Sequence, residues 1–246
     1  MIRPTASMLL IFVLGPRPAS GQAIAKSPPS AAASALPLDM TLLVPRSDSF
    51  AVLVKGIQLG WTRTVVEDTP TGKRLTEESS IAGLVEQRTI VDISDAGAML
   101  RVRQQGTNQS QPTTVELDYQ GPRVSGQATA GSPEGTRTVP VDTTLGSNPV
   151  DDNAIQGLLP GLPWTPNATW SFLTFSGGQN EARVTTLRGL GTESVEIRGG
   201  AIEAFRVEWS GGWQPAVFWI TAQPPFRLVK IGITDTPVEV VLSTKP

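Results

Sequence analysis

From Phe50 to the carboxyl end, apolar and polar residues alternate with a period of two. Phe50, Val52 and Val54 alternate with Ala51, Leu53 and Lys55, and Ile57, Leu59, Trp61 and Val65 with Gln58, Gly60, Thr62 and Thr64. That period sends successive side chains to opposite faces of an extended chain, so it predicts strands with one dry face and one wet face. The same rhythm returns in Leu84–Ile93, around Leu100 and Val102, and in Val115, Leu117 and Tyr119. Thr69-Pro70-Thr71-Gly72, Asp95-Ala96-Gly97, Gly121-Pro122, Ser132-Pro133-Glu134-Gly135 and Gly199-Gly200 carry the residues that turns require. Lys73–Ile81 reads as a pairing strand close to solvent, and Thr107–Pro112 as a polar loop. Strands resume at Trp170–Phe175, Glu181–Leu187, Thr192–Arg198, Ala201–Trp209, Trp213–Ala222, Phe226–Ile233 and Val238–Leu242. About twelve strands at a spacing of roughly ten residues predict an all-β fold: a curved antiparallel sheet forming a half-barrel or open barrel.

One short helix interrupts this pattern, expected over Val150–Leu159. Asp151-Asp152-Asn153 offers an amino-terminal cap, Ile155, Leu158 and Leu159 share a side, and Pro160-Gly161 stops the helix. Leu162-Pro163-Trp164-Thr165-Pro166 carries two prolines and reads as an extended apolar loop laid against the sheet.

The segment VEWSGGWQPAVFWI, Val207–Ile220, concentrates three of the six tryptophans. A three-residue loop at Ser210-Gly211-Gly212 would set Trp209 opposite Trp213. Phe205, Val207 and Trp209 would then share a face with Trp213, Pro215, Val217 and Trp219. Such a face is either the inner layer of the sheet or a lining for an apolar ligand. The lining candidates are Trp164, Phe205, Trp209, Trp213, Val217 and Trp219.

The first residues look unlike the rest. Met1–Ala23 has Arg3 in a short basic region, an apolar run Met8–Leu14 and small residues at Gly21 and Ala23, the layout of a secretory signal peptide. The run is too short to span a bilayer, and no later stretch is apolar enough to cross one. Residues 24–45, rich in Ala, Ser and Pro, read as a flexible leader, and residues 46–246 as a single β domain. The expected location is the bacterial periplasm or the extracellular space.

Composition narrows the chemistry. The chain of 246 residues holds no Cys and no His. Disulfides, thiolate nucleophiles, Ser-His-Asp triads and HExxH zinc sites are therefore impossible. A formal charge of −2 with scattered arginines offers no basic face for nucleic acid. Adjacent carboxylates Glu67-Asp68 and Glu77-Glu78 would point to opposite faces of a strand, and Asp151-Asp152 is accounted for as a cap, which leaves no pair suited to glycan hydrolysis. No loop has the oxygen spacing of a calcium site, and Arg188-Gly189-Leu190-Gly191 leads into a strand where a phosphate loop would need a helix. No catalytic residue, metal or cofactor is expected.

Three stretches together resemble the exported bacterial family called domain of unknown function 3108. They are FAVLVKGIQLGWTRTVVEDTPTGKRLTEESSI at Phe50–Ile81, VEIRGGAIEAFRVEW at Val195–Trp209, and FWITAQPPFRLVKI at Phe218–Ile231. The resemblance implies a curved antiparallel sheet wrapped around a short helix, similar in outline to periplasmic lipoprotein-carrier folds, and supplies no catalytic residues. The resulting expectation is a non-enzymatic soluble periplasmic protein that binds or carries a lipid or other apolar ligand. The alternatives are an envelope protein-interaction or assembly module and, less favoured, a carboxylate-based glycan hydrolase.

Overall fold

The computed structural model describes residues 33–132 and 135–243. The signal-peptide reading, the first part of the leader and the Pro133-Glu134 turn lie outside the described residues. The first eight strands are β1 (Arg46–Val54), β2 (Ile57–Thr69), β3 (Gly72–Ile81), β4 (Val85–Ser94), β5 (Met99–Asn108), β6 (Gln111–Gln120), β7 (Arg123–Ser132) and β8 (Gly135–Thr144). A two-residue strand β9 (Val150–Asp151) leads into a helical segment whose single α-turn is α1 (Ile155–Leu158), with 3-10 turns at Asp152–Ala154 and Leu159–Gly161. Then follow β10 (Thr169–Ser176), β11 (Glu181–Ile197), β12 (Gly200–Ser210), β13 (Ala216–Thr221), β14 (Leu228–Ile233) and β15 (Val238–Leu242).

These fifteen strands make one sheet, in the order β8-β7-β6-β5-β4-β3-β2-β1-β15-β14-β13-β12-β11-β10-β9. Every pairing is antiparallel except β9 with β10. The first strand pairs with both β2 and the last strand, so β1 sits at the middle of the sheet. The all-β, curved antiparallel architecture with one short helix thus stands as the sequence predicts.

The sheet curls over its dry face. Neighbouring strands approach closely where glycine replaces a side chain that would meet them. A Cβ on Gly106 would lie 2.0 Å from the Glu86 carbonyl oxygen, and one on Gly126 would lie 2.0 Å from that of Glu116. The two flanks come together without ladder bonds: β9 touches β5, and a Cβ on Gly177, in the β10–β11 turn, would come within 2.6 Å of Leu117 on β6. The barrel stays open.

The helical segment lies inside the curl. A Cβ on Gly157 would fall 2.7 Å from Leu75 of β3, which fixes the segment against the inner face. Ala154, Ile155, Leu158, Leu159 and Leu162 are buried there with Val66, Leu75, Val91, Val102 and Leu117 from the wall. The Asp151 carboxylate accepts a hydrogen bond from the Asn153 backbone N–H at 2.9 Å, the expected cap. The α-helix is shorter than predicted, because Val150 and Asp151 are drawn into the ladder beside β10 and Pro160 forces a tighter final turn.

Four further differences from the sequence reading have local causes. Residues 33–45 pack where a flexible leader was expected: Leu43 is completely buried, Leu36, Leu38, Met40 and Leu42 lie against the core, and the Asp39 N–H donates to Gly161 O at 2.8 Å. The packed domain therefore begins before residue 46. The expected loop at Thr107–Pro112 is a tight turn, with Gln109 and Ser110 both at positive φ, so β5 and β6 run almost to it. The two strands expected at Glu181–Leu187 and Thr192–Arg198 are one strand, bulged where the pairing shifts between Gly189 and Thr192. Strand β13 starts at Ala216 rather than Trp213.

A charged anchor links β1 to the start of β14, two strands away beyond β15. Asp48 points inward, is 3% exposed, and holds the Arg46 guanidinium at 3.0 Å and that of Arg227 in a second ion pair. Burial draws the Arg46 pKa down, and Asp48 pulls it back up.

Two substitutions test this packing. Leu158→Ala should destabilise the fold by about 2–5 kcal/mol, because the cavity it leaves is walled by strands that cannot close on it. Asp48→Asn should cost about 3 kcal/mol or more by leaving two buried guanidinium groups facing each other. Urea unfolding midpoints check both.

Candidate functional site

The inner face of β1–β5 divides into sectors that the register makes easy to follow. One row is apolar: Val66, Leu75, Val91 and Val102 are paired in turn across β2, β3, β4 and β5, and this is the sector the helical segment covers. The next row is polar, with Asp48 opposite Thr64, Thr64 opposite Glu77, Glu77 opposite Thr89 and Thr89 opposite Gln104. A second polar row lies beyond it, with Thr62 opposite Ser79 and Ser79 opposite Gln87, next to Gly106. Past that the face turns apolar again at Val52, Ile81 and Val85.

Thr62, Thr89 and Gln104 of this polar patch are buried, whereas Thr64, Glu77, Ser79 and Gln87 are half-buried. Water therefore reaches the concave wall here, while the flanking apolar rows are dry. The side chains form their own network. The Thr62 hydroxyl is 2.8 Å from that of Ser79 and donates to the Glu78 carbonyl at 3.2 Å, and the Gln87 amide donates to the Thr89 hydroxyl at 3.2 Å.

Glu77 is the ionisable member. Protein atoms crowd it closely even though water touches it, and this desolvation pushes its carboxyl up to about 7, with a hydrogen bond from Ser79 pulling the other way. Glu78 points to the opposite face and meets Arg88 at 3.6 Å, so this adjacent pair does not converge, as the strand geometry predicts.

A second group of carboxylates is committed to the fold. Asp151, fully buried, accepts from the Tyr119 hydroxyl and twice from Asn153. Burial and the neighbouring Asp151 hold the Asp152 carboxyl well above the usual range, against the pull of the Ser176 hydroxyl. Burial raises the Asp151 carboxyl as well, and the Tyr119 and Asn153 donors around it pull it back down. Among the described residues no cluster of three or more Asp and Glu could hold a metal ion.

The six residues predicted to line a ligand do not form one surface. Trp164, Phe205 and Trp209 are buried in the inner layer. Trp164 donates its indole N–H to Leu159 O at 2.7 Å, packs edge-on to Trp170 at 4.8 Å and stacks on Phe205 at 6.5 Å. Trp209 packs on Phe218 at 5.9 Å.

The return strand is in a different register from the one expected. Trp209 pairs with Ala216, not Trp213, a shift of three residues. An odd shift exchanges the two faces of a strand. Ala216, Phe218 and Ile220 consequently face inward, and Val217 and Trp219 face outward. The reason is Pro215, which has no N–H to give to the ladder, so pairing begins just after it. Trp219 donates to Glu193 at 2.5 Å on the outer face, with the Lys230 ammonium 5.2 Å from its ring. Trp213 stays in the loop under the Arg183 guanidinium, 4.8 Å away. The gap beside Trp209, walled by Gln156, Ala216, Phe218, Ile231 and Ile233, has about 10 Å³ of free space, roughly the room for one water.

Sequence reasoning missed Thr62, Thr64, Glu77, Ser79 and Gln87. Their signal was present: in Leu75–Ile81 the inward parity reads Leu, Glu, Ser, Ile, a dry rhythm broken by two polar residues.

Fold and face together define an open, curved antiparallel β protein whose concave wall is part dry and part wet. The chain belongs to the family described as Protein of unknown function (DUF3108), which matches it over residues 49–236. No curated protein matches the chain. Among solved structures it is similar to a beta-barrel-like protein of domain of unknown function DUF1849 from Brucella abortus, at 8% identity and a TM-score of 0.41, covering 81% of this chain and 95% of that one.

Glu77→Gln tests the environment of the inner face. The folded-state pKa is raised from the ordinary 4.5 to about 7. The stability this group contributes is fully present below the unfolded value and is lost as pH climbs between the two. The variant should match the parent at about pH 4 and exceed it at about pH 8, by at most about 3 kcal/mol and less to the extent that water screens the site. Urea melts across that range check the sign.

Proposed function

We propose that the protein is a non-enzymatic, exported protein of the bacterial envelope that binds a small amphipathic ligand against the inner face of its half-barrel. The observation that carries this reading is the division of that face. The dry sector is filled by the helical segment and the tryptophans, and the wet polar sector on β2–β5 is bordered on both sides by apolar rows. A polar patch inside an otherwise apolar concavity is the usual make-up of a small-molecule site, in which a few polar groups fix orientation. The earlier expectation of a ligand on the tryptophan hairpin moves accordingly to the wall of β2–β5. Export is supported by the amino-terminal pattern of basic, apolar and small residues. A binding role in place of catalysis is supported by a chain without His or Cys, whose buried carboxylates Asp48 and Asp151 are held by structural partners. Native mass spectrometry of the protein purified from the periplasm should show an adduct of lipid-like mass, and lysolipid should raise the melting temperature. A clean mass with no thermal shift contradicts the binding reading, and recovery of uncleaved protein from the cytosol contradicts export.

A second reading, an envelope protein-interaction module, is favoured by one observation. Leu59 and Trp61 of β2 are 38% and 45% exposed, and Ile57, at the start of the strand beyond a register shift, is 66% exposed, three large apolar side chains open to solvent near one strand end. Crosslinking in intact cells should capture a defined envelope protein with the parent chain and lose it with Leu59→Ser and Trp61→Ser combined. Identical crosslinks in both would remove this reading.

A further inference from the structure

The polar sector contains a carboxylate for which the fold supplies no counter-charge among the described residues. Along the row Asp48–Thr64–Glu77–Thr89–Gln104, Asp48 is neutralised by Arg46 at 3.0 Å and by Arg227. Glu77, two strands away, enters no ion pair among the described residues. Its neighbours in the two polar rows are the hydroxyls of Thr62, Thr64, Ser79 and Thr89 and the carboxamide of Gln87, all uncharged. Other carboxylates on these strands are placed differently: Glu78 faces outward to Arg88, Asp68 is paired with Lys73, and Glu67 and Glu86 are exposed to water.

We propose that Glu77 and the polar side chains around it form the head-group site of this face, and that the group they receive is the protonated amine of an amphipathic ligand. The proposal rests on the binding-face reading and specifies its chemistry. An ammonium carries three donors and no acceptor. The carboxylate and the surrounding hydroxyl oxygens are acceptors, so both the charge and the hydrogen bonds of such a group are met. An ionised carboxylate enclosed by a ligand without a counter-ion is costly, and a cation removes that cost. A phosphate or carboxylate head would face Glu77 with like charge, and a glycoside head would leave its charge uncompensated. Desolvation already raises the Glu77 pKa in the free protein, so an arriving cation has an unfavourable state to relieve. The apolar rows on either side, Val66 and Leu75 on one and Ile81 and Val85 on the other, are already covered by the protein and keep water from the flanks of the site.

The test is calorimetric titration of the full chain at about pH 8, where Glu77 is charged, with n-octylammonium, n-octyl glucoside and n-octanoate as probes. The expected result is that octylammonium binds at least about ten-fold more tightly than the glucoside, that octanoate is weakest, and that Glu77→Gln abolishes the preference. Thr64→Val, which keeps the carboxylate, should retain the preference at lower affinity. On the unmutated protein, raising salt from about 0.05 M to about 0.5 M should weaken octylammonium and leave the glucoside unchanged, which reads the charge without any variant. Equal binding of ammonium and glucoside, or a preference that survives Glu77→Gln, overturns the head-group proposal while leaving the binding face standing. If none of the three probes binds, the binding face falls, and the head-group site with it.

Discussion

Among the described residues the fifteen strands form one meander with a dry side and no second sheet to lay over it, and such a sheet has to roll. Exposing the inner apolar residues would forfeit about 25 cal/mol for each Å² left in water, so the sheet curls until its own flanks and the helical segment cover them. Everything else in the molecule follows from that constraint. Glycines at 106 and 126 let neighbouring strands approach closely, the β10–β11 turn comes down on β6, and α1 fills what the curl leaves open. Asp48, between Arg46 and Arg227, links the central strand by charge to the start of β14, two strands along the sheet.

The roll also explains why the concave wall has two characters. The helical segment is a single α-turn with short 3-10 flanks, and Leu158, Leu159 and Leu162 cover only the sector around Leu75. Strand by strand, the inward positions next to that sector carry Thr, Ser, Glu and Gln before the face turns apolar again at Val52, Ile81 and Val85. Polar groups there can be solvated or hydrogen-bonded, whereas apolar groups would face water. The carboxylate at Glu77 is the exception to easy solvation: the protein atoms crowded around it push its pKa up.

Much of the architecture was legible because it depends on parity. The alternation at Phe50–Val54, the Asp151 cap and the apolar loop at Leu162–Trp164 are local signals, and the structure contains all three. Register was less legible, because one proline without a donor moved the partner of Trp209 from Trp213 to Ala216 and exchanged the faces of the return strand. The packing of Leu43 was hidden for another reason: the run Leu36–Val44, LPLDMTLLV, has no sustained period, and the burial of Leu43 depends on contacts such as Gly161, more than a hundred residues away in sequence. The polar sector was in view as a break in the inward rhythm of β3, but Lys73–Ile81 as a whole is so polar that it reads as a strand near solvent. Only its pairing with β2 and β4 shows that Glu77 and Ser79 face the concave side.

The division of the inner wall can be measured directly, because the chain has no cysteine of its own. A single cysteine placed by Ser79→Cys, compared with one placed by Val91→Cys, reports water access to the two sectors through its rate of reaction with a small thiol reagent in the folded protein. The account predicts that the Ser79 site reacts under native conditions, and that the Val91 site, beneath the helical segment, reacts only as the protein unfolds. Equal protection of the two, or faster reaction at Val91, would contradict it.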